Sequence, residues 1–202
     1  MNVRTSSVAI AAAFALSLTA LAGCSRQPAA ETPPLAGARL GGPFALVDQD
    51  GRTATDKSFA GRYRAVYFGY SFCPDVCPTT LQVLMQGYRS FASASPGAAA
   101  RLAPVFITVD PERDTPAVLK SYVAAFGKPL VGLTGTPDAI AAAAKAYGVY
   151  YHKQATAAGA SGYLVDHSSQ VILFGPDGQP IALVPTDQGA KAVADTFAEW
   201  VH

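Results

Sequence analysis

The sequence predicts a three-layer α/β domain with a mixed central sheet. Strand-like apolar runs alternate along the chain with helix-like segments, as they do when helices cover a mostly parallel sheet. Near the C-terminus, two apolar runs flank the turn Gly175-Pro-Asp-Gly178, which indicates a hairpin and adds antiparallel pairing. The chain has 202 residues, half of them apolar, which is long enough for one such domain and a targeting segment.

The first predicted elements lead to a pair of thiols. Phe44 to Val47, followed by Asp50-Gly51, predicts a strand that enters a hairpin turn. The β-prone run Arg64 to Tyr70 predicts a second strand, which ends just before Cys73 and Cys77. Paired thiols at a strand-to-helix junction can bind a soft metal or exchange a disulfide.

A helix is predicted to start at Pro78. Proline disfavours helical geometry at Cys77 and suits the first helical turn, so the helix should run on through Leu81, Leu84 and Met85. Cys77 would then lie at the helix N-terminus, where exposed backbone N–H groups favour negative charge. We therefore expect the pKa of the Cys77 thiol to be lowered. Met85 is predicted to be a core residue rather than a metal ligand.

The remaining elements follow from apolar runs and from helix start and stop signals. Val105 to Val109 predicts an interior strand, and the charged turn Asp110 to Asp114 should pair internally and cap a helix that ends near Phe126. The other predicted elements are a helix after Pro137, a strand from Tyr147 to Tyr151, a mobile loop from Ala155 to Gly162, a hairpin of Val171 to Phe174 with Ile181 to Val184, and a closing helix from about Gln188 to Val201. Because ligands of open α/β sheets gather beyond the carboxyl ends of strands, we expect the thiols and the charged turn to share one edge.

The N-terminus has the pattern of a bacterial lipoprotein signal. Arg4 precedes an apolar run from Val8 to Ala22, and small residues stand directly before Cys24. We predict a signal peptide over 1–23, lipidation of Cys24, a flexible Pro/Ala/Gly-rich linker over 24–42 and a folded domain over 43–202. The domain would then be tethered to a membrane of the bacterial cell envelope and face the periplasm or the cell exterior. An uncleaved anchor and a simple secretory signal are the alternatives.

Charge and cysteine count exclude two classes of protein. Without residues 1–23, which contain one basic residue, the chain has 14 basic and 14 acidic residues, so nucleic acid is not an expected partner. Lipidation of Cys24 would leave one cysteine pair, Cys73 and Cys77, in a compartment that permits disulfides. An iron–sulfur cluster normally requires four thiolates and is not expected.

His167 is the predicted third member of the site. We predict that it lies in a short polar loop, Asp166 to Ser169, before an apolar strand, and two sulfurs with an imidazole suit copper. Zinc could use the same ligands. The two thiols could instead form only a stabilising disulfide, although so short a loop gains little from cross-linking. Asp75, between the thiols, could shape their electrostatics or be an ordinary solvated residue.

Three motifs together resemble the Sco/SenC family. They are Phe72-Cys-Pro-Asp-Val-Cys-Pro78, Thr108-Val-Asp-Pro-Glu-Arg-Asp-Thr-Pro116 and Tyr163-Leu-Val-Asp-His-Ser168. The resemblance implies a thioredoxin-like fold and copper, as Cu(I) or Cu(II), bound by Cys73, Cys77 and His167. It also implies a membrane-tethered protein that helps assemble the dinuclear copper centre, CuA, of cytochrome c oxidase. The implied partners are cytochrome c oxidase subunit II or another copper acceptor, an upstream copper donor and a thiol reductant.

Three functions therefore compete. The leading hypothesis is a copper metallochaperone that needs no catalytic turnover. The second is a thiol-disulfide oxidoreductase that reduces the acceptor's cysteines with Cys73 and Cys77 as its redox-active pair. The third is a peroxidase that uses a cysteine of low pKa.

Overall fold

The computed structural model describes residues 32–154 and 162–202. The strands are β1 (Ala45–Asp48), β2 (Thr53–Thr55), β3 (Tyr63–Gly69), β4 (Leu102–Thr108), β5 (Val131–Thr134), β6 (Tyr151–Lys153), β7 (Val165–His167), β8 (Val171–Phe174) and β9 (Pro180–Val184). The helices are α1 (Val76–Ala94), α2 (Pro96–Ala99), α3 (Pro116–Ala124), α4 (Pro137–Ala146) and α5 (Ala190–Trp200). Two short 3-10 helices cover Asp56–Phe59 and Thr186–Gln188.

Seven strands form one mixed sheet in the order β2-β1-β5-β4-β3-β8-β9, and β6 pairs with β7 in a separate ribbon. The three central strands, β3, β4 and β5, are parallel, while the outer strands pair antiparallel. Every residue of β3 and β4 is buried. Both faces of these strands are covered, which explains why their sequences are nearly continuous apolar runs. The predicted mixed sheet is confirmed.

Helices α1, α3 and α5 cover one face of the sheet. Helix α1 packs closely on α5, because Gly87 lacks a side chain where Val193 approaches; an added Cβ would lie 2.4 Å from Val193 Cγ1. Arg89 of α1 donates a hydrogen bond to the carbonyl of Phe126, just after α3. These contacts form the first helical layer of the predicted three-layer architecture.

The opposite face is covered around the end of α4, where Tyr147 is fully buried. Its ring packs 5.6 Å from that of Phe68, and its hydroxyl accepts a hydrogen bond from Arg64. The predicted strand from Tyr147 to Tyr151 is therefore wrong for 147–150, because Tyr147 ends a helix and fills the core. The observed strand begins at Tyr151.

Part of the predicted linker belongs to the folded domain. The Leu35 N–H donates to the Ile181 carbonyl, and the Gly41 N–H donates to the Ala146 carbonyl, both at 2.9 Å. Leu40 also packs against the core. The domain therefore begins before the predicted boundary at residue 43. The predicted signal peptide, Cys24 and residues 155–161 of the predicted loop lie outside the described residues.

The contact of Leu35 is made at the end of the sheet where β3 begins. Its partner, Ile181, is the second residue of β9, and the start of β9 pairs with the end of β8, which in turn pairs with the start of β3. At the same end, Arg101, just before β4, donates to the carbonyl of His202. Within 32–154 and 162–202, no helix is long and apolar enough to cross a membrane.

Several predicted elements appear with shifted ends. Helices α3, α4 and α5 and the hairpin of β8 and β9 are observed close to their predicted positions. Helix α1 begins at Val76 rather than Pro78. A proline in the first turn removes only an N–H that has no intrahelical partner there, so the helix can start before it. Strand β5 and the β6–β7 ribbon were not predicted as observed, because runs of three or four residues give no usable periodicity.

Candidate metal centre

The structure brings the three predicted ligands together. Cys77 Sγ lies 3.1 Å from His167 Nε2, and the N–H of Cys77 donates to Cys73 Sγ at 3.4 Å. One possible ligand atom from each residue lies within 4.8 Å of the other two. Residues that are 90 positions apart in sequence thus converge at the edge of the sheet where β3 ends.

The two thiols follow β3 and enter α1. Cys77 is fully buried, whereas Cys73 is partly exposed, and the two are not joined by a disulfide in the structure. Gly69, the last residue of β3, makes room for the buried thiol. A Cβ at Gly69 would lie 2.9 Å from both Cys77 Sγ and the ring of Phe106. The absence of a side chain at residue 69 therefore fixes where the sulfur can sit.

His167 is the last residue of β7 and pairs with Tyr151 of β6, so the prediction that it lies in a loop is wrong. Its Nδ1–H donates to the carbonyl of Ser168 at 2.9 Å, which leaves the Nε2 lone pair directed at Cys77. Ser168 is itself held by hydrogen bonds to the backbone of Tyr150. A histidine whose second nitrogen is occupied in this way presents one defined donor atom to a metal.

The electrostatics of Cys77 differ from the prediction. Burial raises the pKa of this thiol to about 12, although hydrogen bonds to its ionised form act in the opposite direction. The predicted lowering is therefore wrong. The helix N-terminus favours the thiolate, but complete removal of the sulfur from water outweighs it.

Asp114 joins the loop that carries Cys73 to the end of β4. Its buried carboxylate accepts hydrogen bonds from the N–H of Ser71 at 3.0 Å, from the Ser71 hydroxyl and from the Thr108 hydroxyl at 2.6 Å. The expectation that the thiols and the charged turn share one sheet edge is confirmed. Ser71 and Thr108 were not singled out in the sequence, since only the pairing of β3 with β4 brings them together.

Arg113 joins the same turn to the segment that precedes His167. It forms an ion pair with Asp110, donates to the carbonyl of Tyr163 at 2.9 Å, and its guanidinium carbon lies 3.7 Å from the centre of the Tyr163 ring. The Tyr163 hydroxyl donates to Asp110 at 2.6 Å. On the other side, the guanidinium carbon lies 4.9 Å from the ring of Phe72, the residue before the first thiol. Charge pairing within the turn is confirmed.

The predicted capping role of this turn is wrong. Helix α3 is capped by Thr115, whose side chain accepts a hydrogen bond from the Val118 N–H. Asp114 cannot cap the helix because its carboxylate is already occupied by Ser71 and Thr108.

The other candidate residues lie apart from the ligand group. Met85 is a fully buried core residue, as predicted. Asp75 is exposed at the start of α1, His152 is exposed opposite Asp166 in the β6–β7 ribbon, and His202 is exposed at the chain end. The group of two soft sulfurs and one imidazole, open to solvent on one side, is suited to a soft metal or to thiol exchange.

The sequence model of the SCO1/SenC family matches residues 32–202, which include all three members of the candidate centre. The chain belongs to the SCO1/SenC family. This match covers the whole of the described domain.

Named relatives of this SCO1/SenC chain occur in mitochondria and in bacteria. The chain is 40% identical over 162 residues to the mitochondrial protein SCO1 of Saccharomyces cerevisiae, covering 80% of this chain and 54% of that protein. It is 40% identical over 163 residues to SenC of Rhodobacter capsulatus, covering 80% and 70%. The chain spans about half the length of the mitochondrial relatives that it matches.

Solved structures of the family have the same fold. ScoI of Bradyrhizobium japonicum, determined with copper bound, has a TM-score of 0.72 and 37% identity over 80% of this chain and 99% of that one. Yeast Sco1 with copper bound has a TM-score of 0.72 and 39% identity over 80% and 87%. A thioredoxin domain from Bacteroides vulgatus, at 15% identity, has a TM-score of 0.56 over 81% and 96%, which supports the thioredoxin-like fold.

Proposed function

We propose that this SCO1/SenC protein is a copper metallochaperone that helps assemble the CuA centre of cytochrome c oxidase. The observation that carries the proposal is the convergence of Cys73, Cys77 and His167, with Cys77 Sγ and His167 Nε2 only 3.1 Å apart. Soft sulfur donors favour Cu(I), and the imidazole allows the same site to retain Cu(II). The relatives determined with copper bound support this choice of metal.

The unequal burial of the ligands supports a role in carrying copper rather than storing it. Cys77 is fully buried, while Cys73 and His167 are partly exposed. An acceptor can therefore approach from the side of Cys73 and His167 and replace these two ligands before the buried sulfur is released. Stepwise ligand exchange of this kind requires no catalytic turnover.

The metal assignment is tested by titrating the reduced protein with copper. We expect near-stoichiometric binding, with sulfur-to-copper charge-transfer absorption and an electron paramagnetic resonance signal for the Cu(II) form. Cys73→Ser and His167→Ala should each weaken binding and change the spectra. His152→Ala is the matched control, because this exposed histidine lies on the neighbouring strand outside the ligand group. Unchanged affinity and spectra in the first two variants would show that the ligands are wrongly assigned.

Delivery is tested with the soluble domain of cytochrome c oxidase subunit II as acceptor. The copper-loaded protein should transfer metal to this domain, whereas the His167→Ala variant should not. An upstream copper donor and a thiol reductant complete the proposed set of partners.

The proposed location is the bacterial cell envelope, with Cys24 lipidated and the domain facing the periplasm or the cell exterior. The signal-like run before Cys24 supports this proposal. The wild type should incorporate labelled fatty acid, and Cys24→Ala should not. A wild-type protein that is found in the membrane fraction but incorporates no fatty acid would instead favour an uncleaved anchor.

A second candidate function is reduction of the acceptor's cysteines. The two thiols are free, and the accessible Cys73 is placed to attack a disulfide, with Cys77 behind it to resolve the mixed disulfide. This activity should persist in His167→Ala and disappear in Cys73→Ser. The raised pKa of Cys77 disfavours a peroxidase that depends on this thiol. Lack of peroxide consumption by the reduced protein would remove that alternative.

A further inference from the structure

Tyr67 carries a polar group that the fold leaves unsatisfied next to the proposed ligands. Its side chain is completely buried, and its hydroxyl has no hydrogen-bond partner among the residues that the structure describes. Because a buried hydroxyl without a partner opposes folding, its presence calls for a reason other than stability.

The ring of Tyr67 adjoins two of the three ligands. An added Cβ at Gly69 would lie 2.9 Å from Cys77 Sγ and 3.3 Å from Cε1 of Tyr67, so the sulfur and the edge of the ring border the same small space. The centroids of the Tyr67 and His167 rings are 6.1 Å apart, with the rings nearly edge to face. Tyr67 is therefore a direct neighbour of the centre.

The strength of a nearby hydrogen-bond acceptor changes when the centre takes up metal. A neutral thiol accepts hydrogen bonds weakly, whereas a metal-bound sulfur carries negative charge and accepts them strongly. A phenol keeps its proton at neutral pH, so the Tyr67 hydroxyl remains available as a donor.

We infer that Tyr67 is a positioning residue for copper, whose hydroxyl turns to donate a hydrogen bond to the Cys77 sulfur once that sulfur binds the metal. Copper replaces the Cys77 proton, which leaves to solvent, while Tyr67 keeps its own proton. The inference rests on the proposed function. It implies opposite effects of the hydroxyl on the two states: it opposes folding of the metal-free protein and favours retention of copper.

The competing explanation is a purely structural hydroxyl. Thr80, one turn after Cys77 on α1, is another polar side chain near the Tyr67 hydroxyl, outside hydrogen-bond geometry. If Tyr67 served only to contact Thr80, its removal would lower the stability of the metal-free protein and leave the copper spectrum unchanged.

Tyr67→Phe tests the inference, with Tyr88→Phe as the control. Tyr88 is also a buried tyrosine, about three helical turns after Cys77 on α1, but its hydroxyl donates to the carbonyl of Ala99. The measurements are Cu(I) affinity in competition with bathocuproine disulfonate, the sulfur-to-Cu(II) charge-transfer band, and the Tm of the metal-free protein.

We expect Tyr67→Phe to bind Cu(I) about tenfold more weakly, because it loses a hydrogen bond to a charged acceptor, and to shift the charge-transfer band. Its metal-free Tm should be equal to or above that of the wild type. Tyr88→Phe should leave the Cu(I) affinity and the charge-transfer band unchanged. If Tyr67→Phe kept the wild-type Cu(I) affinity and spectrum, the inference would be overturned while the proposed function stood. A lowered Tm of the metal-free variant with an unchanged charge-transfer band would have the same meaning. Failure of the wild type to bind copper would overturn the proposed function as well.

Discussion

At the scale of single residues, burial controls the chemistry of the centre. Cys77 lies at a helix N-terminus, yet its pKa is raised because its sulfur is shielded from water. Copper must therefore displace a proton from this thiol in order to bind. The buried sulfur remains protonated, and hence protected from oxidation, until a metal arrives.

The raised pKa predicts how copper binding and stability change with pH. The Cys77 pKa is about 12 in the folded protein, against a reference value of 9.0. Well below pH 9 the thiol is protonated in both the folded and the unfolded chain, and the stability that depends on its protonation is fully present. As pH rises from about 9 to 12, the unfolded chain loses the proton first, so folding stability should fall. Below pH 9, Cu(I) affinity should rise about tenfold per pH unit for this one proton.

Cu(I) titrations between pH 6 and 9, and urea unfolding of the metal-free protein between pH 8 and 11, measure these two effects. Cys77→Ser should remove the Cys77 contribution to the loss of stability at high pH. A plateau of Cu(I) affinity below pH 8 would contradict the assigned pKa.

Gly69 gives a second prediction at this scale. In Gly69→Ala the new methyl group would meet Cys77 Sγ and the Phe106 ring at 2.9 Å, so the sulfur or the ring must move. We expect a loss of about 1–3 kcal/mol in the free energy of unfolding, together with weaker copper binding. Urea unfolding and copper titration measure the two effects. Gly97→Ala is the control, since a Cβ at residue 97 meets no atom within 4 Å. Unchanged copper binding in Gly69→Ala would show that the position of the sulfur does not depend on this space.

At the scale of elements, the turn between β4 and α3 holds the two halves of the centre. Asp114 fixes the loop that leads to the thiols, and the Asp110–Arg113 pair fixes Tyr163, four residues before the imidazole. Both halves are thus anchored to a third segment that contributes no ligand.

Asp114→Asn tests this anchoring. An amide has one accepting oxygen and no charge, so at least one of the three hydrogen bonds must be lost or reversed. We expect a loss of about 2 kcal/mol in the free energy of unfolding and weaker copper binding, measured by urea unfolding and titration. Asp50→Asn is the control. Its carboxylate is exposed and pairs with Lys120 at the surface, where an ion pair contributes little, so both quantities should change little. If copper affinity in Asp114→Asn remained that of the wild type, the turn would contribute to stability alone.

The three proposed ligand residues and most elements could be singled out in the sequence, because they stand in recognisable local patterns. Cys73 and Cys77 follow a clear strand, and His167 lies in a short polar segment before another. The contacts of Tyr67, Ser71 and Thr108 could not be predicted, since they depend on which strands become neighbours. The pKa of Cys77 was wrongly predicted for the same reason: the helix end is visible in the sequence, but the packing that buries the sulfur is not.

At the scale of the whole molecule, copper should stabilise the fold, because the three proposed ligands come from α1, its preceding loop and β7. A metal that binds only the folded state at one hundred times its Kd adds about 2.7 kcal/mol. For a domain of this size we expect a rise in Tm of about 5–10 °C, measured by calorimetry with and without Cu(I). A chelator should reverse the rise, and Cys73→Ser should reduce it. An equal Tm with and without bound copper would mean that the ligands are not held together by the metal.

The contacts of Leu35 and His202 place both ends of the domain's chain at the end of the sheet opposite the two cysteines. Strand β3 has seven residues, so the two ends of the sheet are separated by roughly 20 Å. An attachment at residue 32 therefore lies at the opposite end of the sheet from the candidate metal centre. A surface coupled to the domain through residue 32 should leave the centre accessible, whereas coupling through the β6–β7 ribbon, which carries His167, should obstruct it.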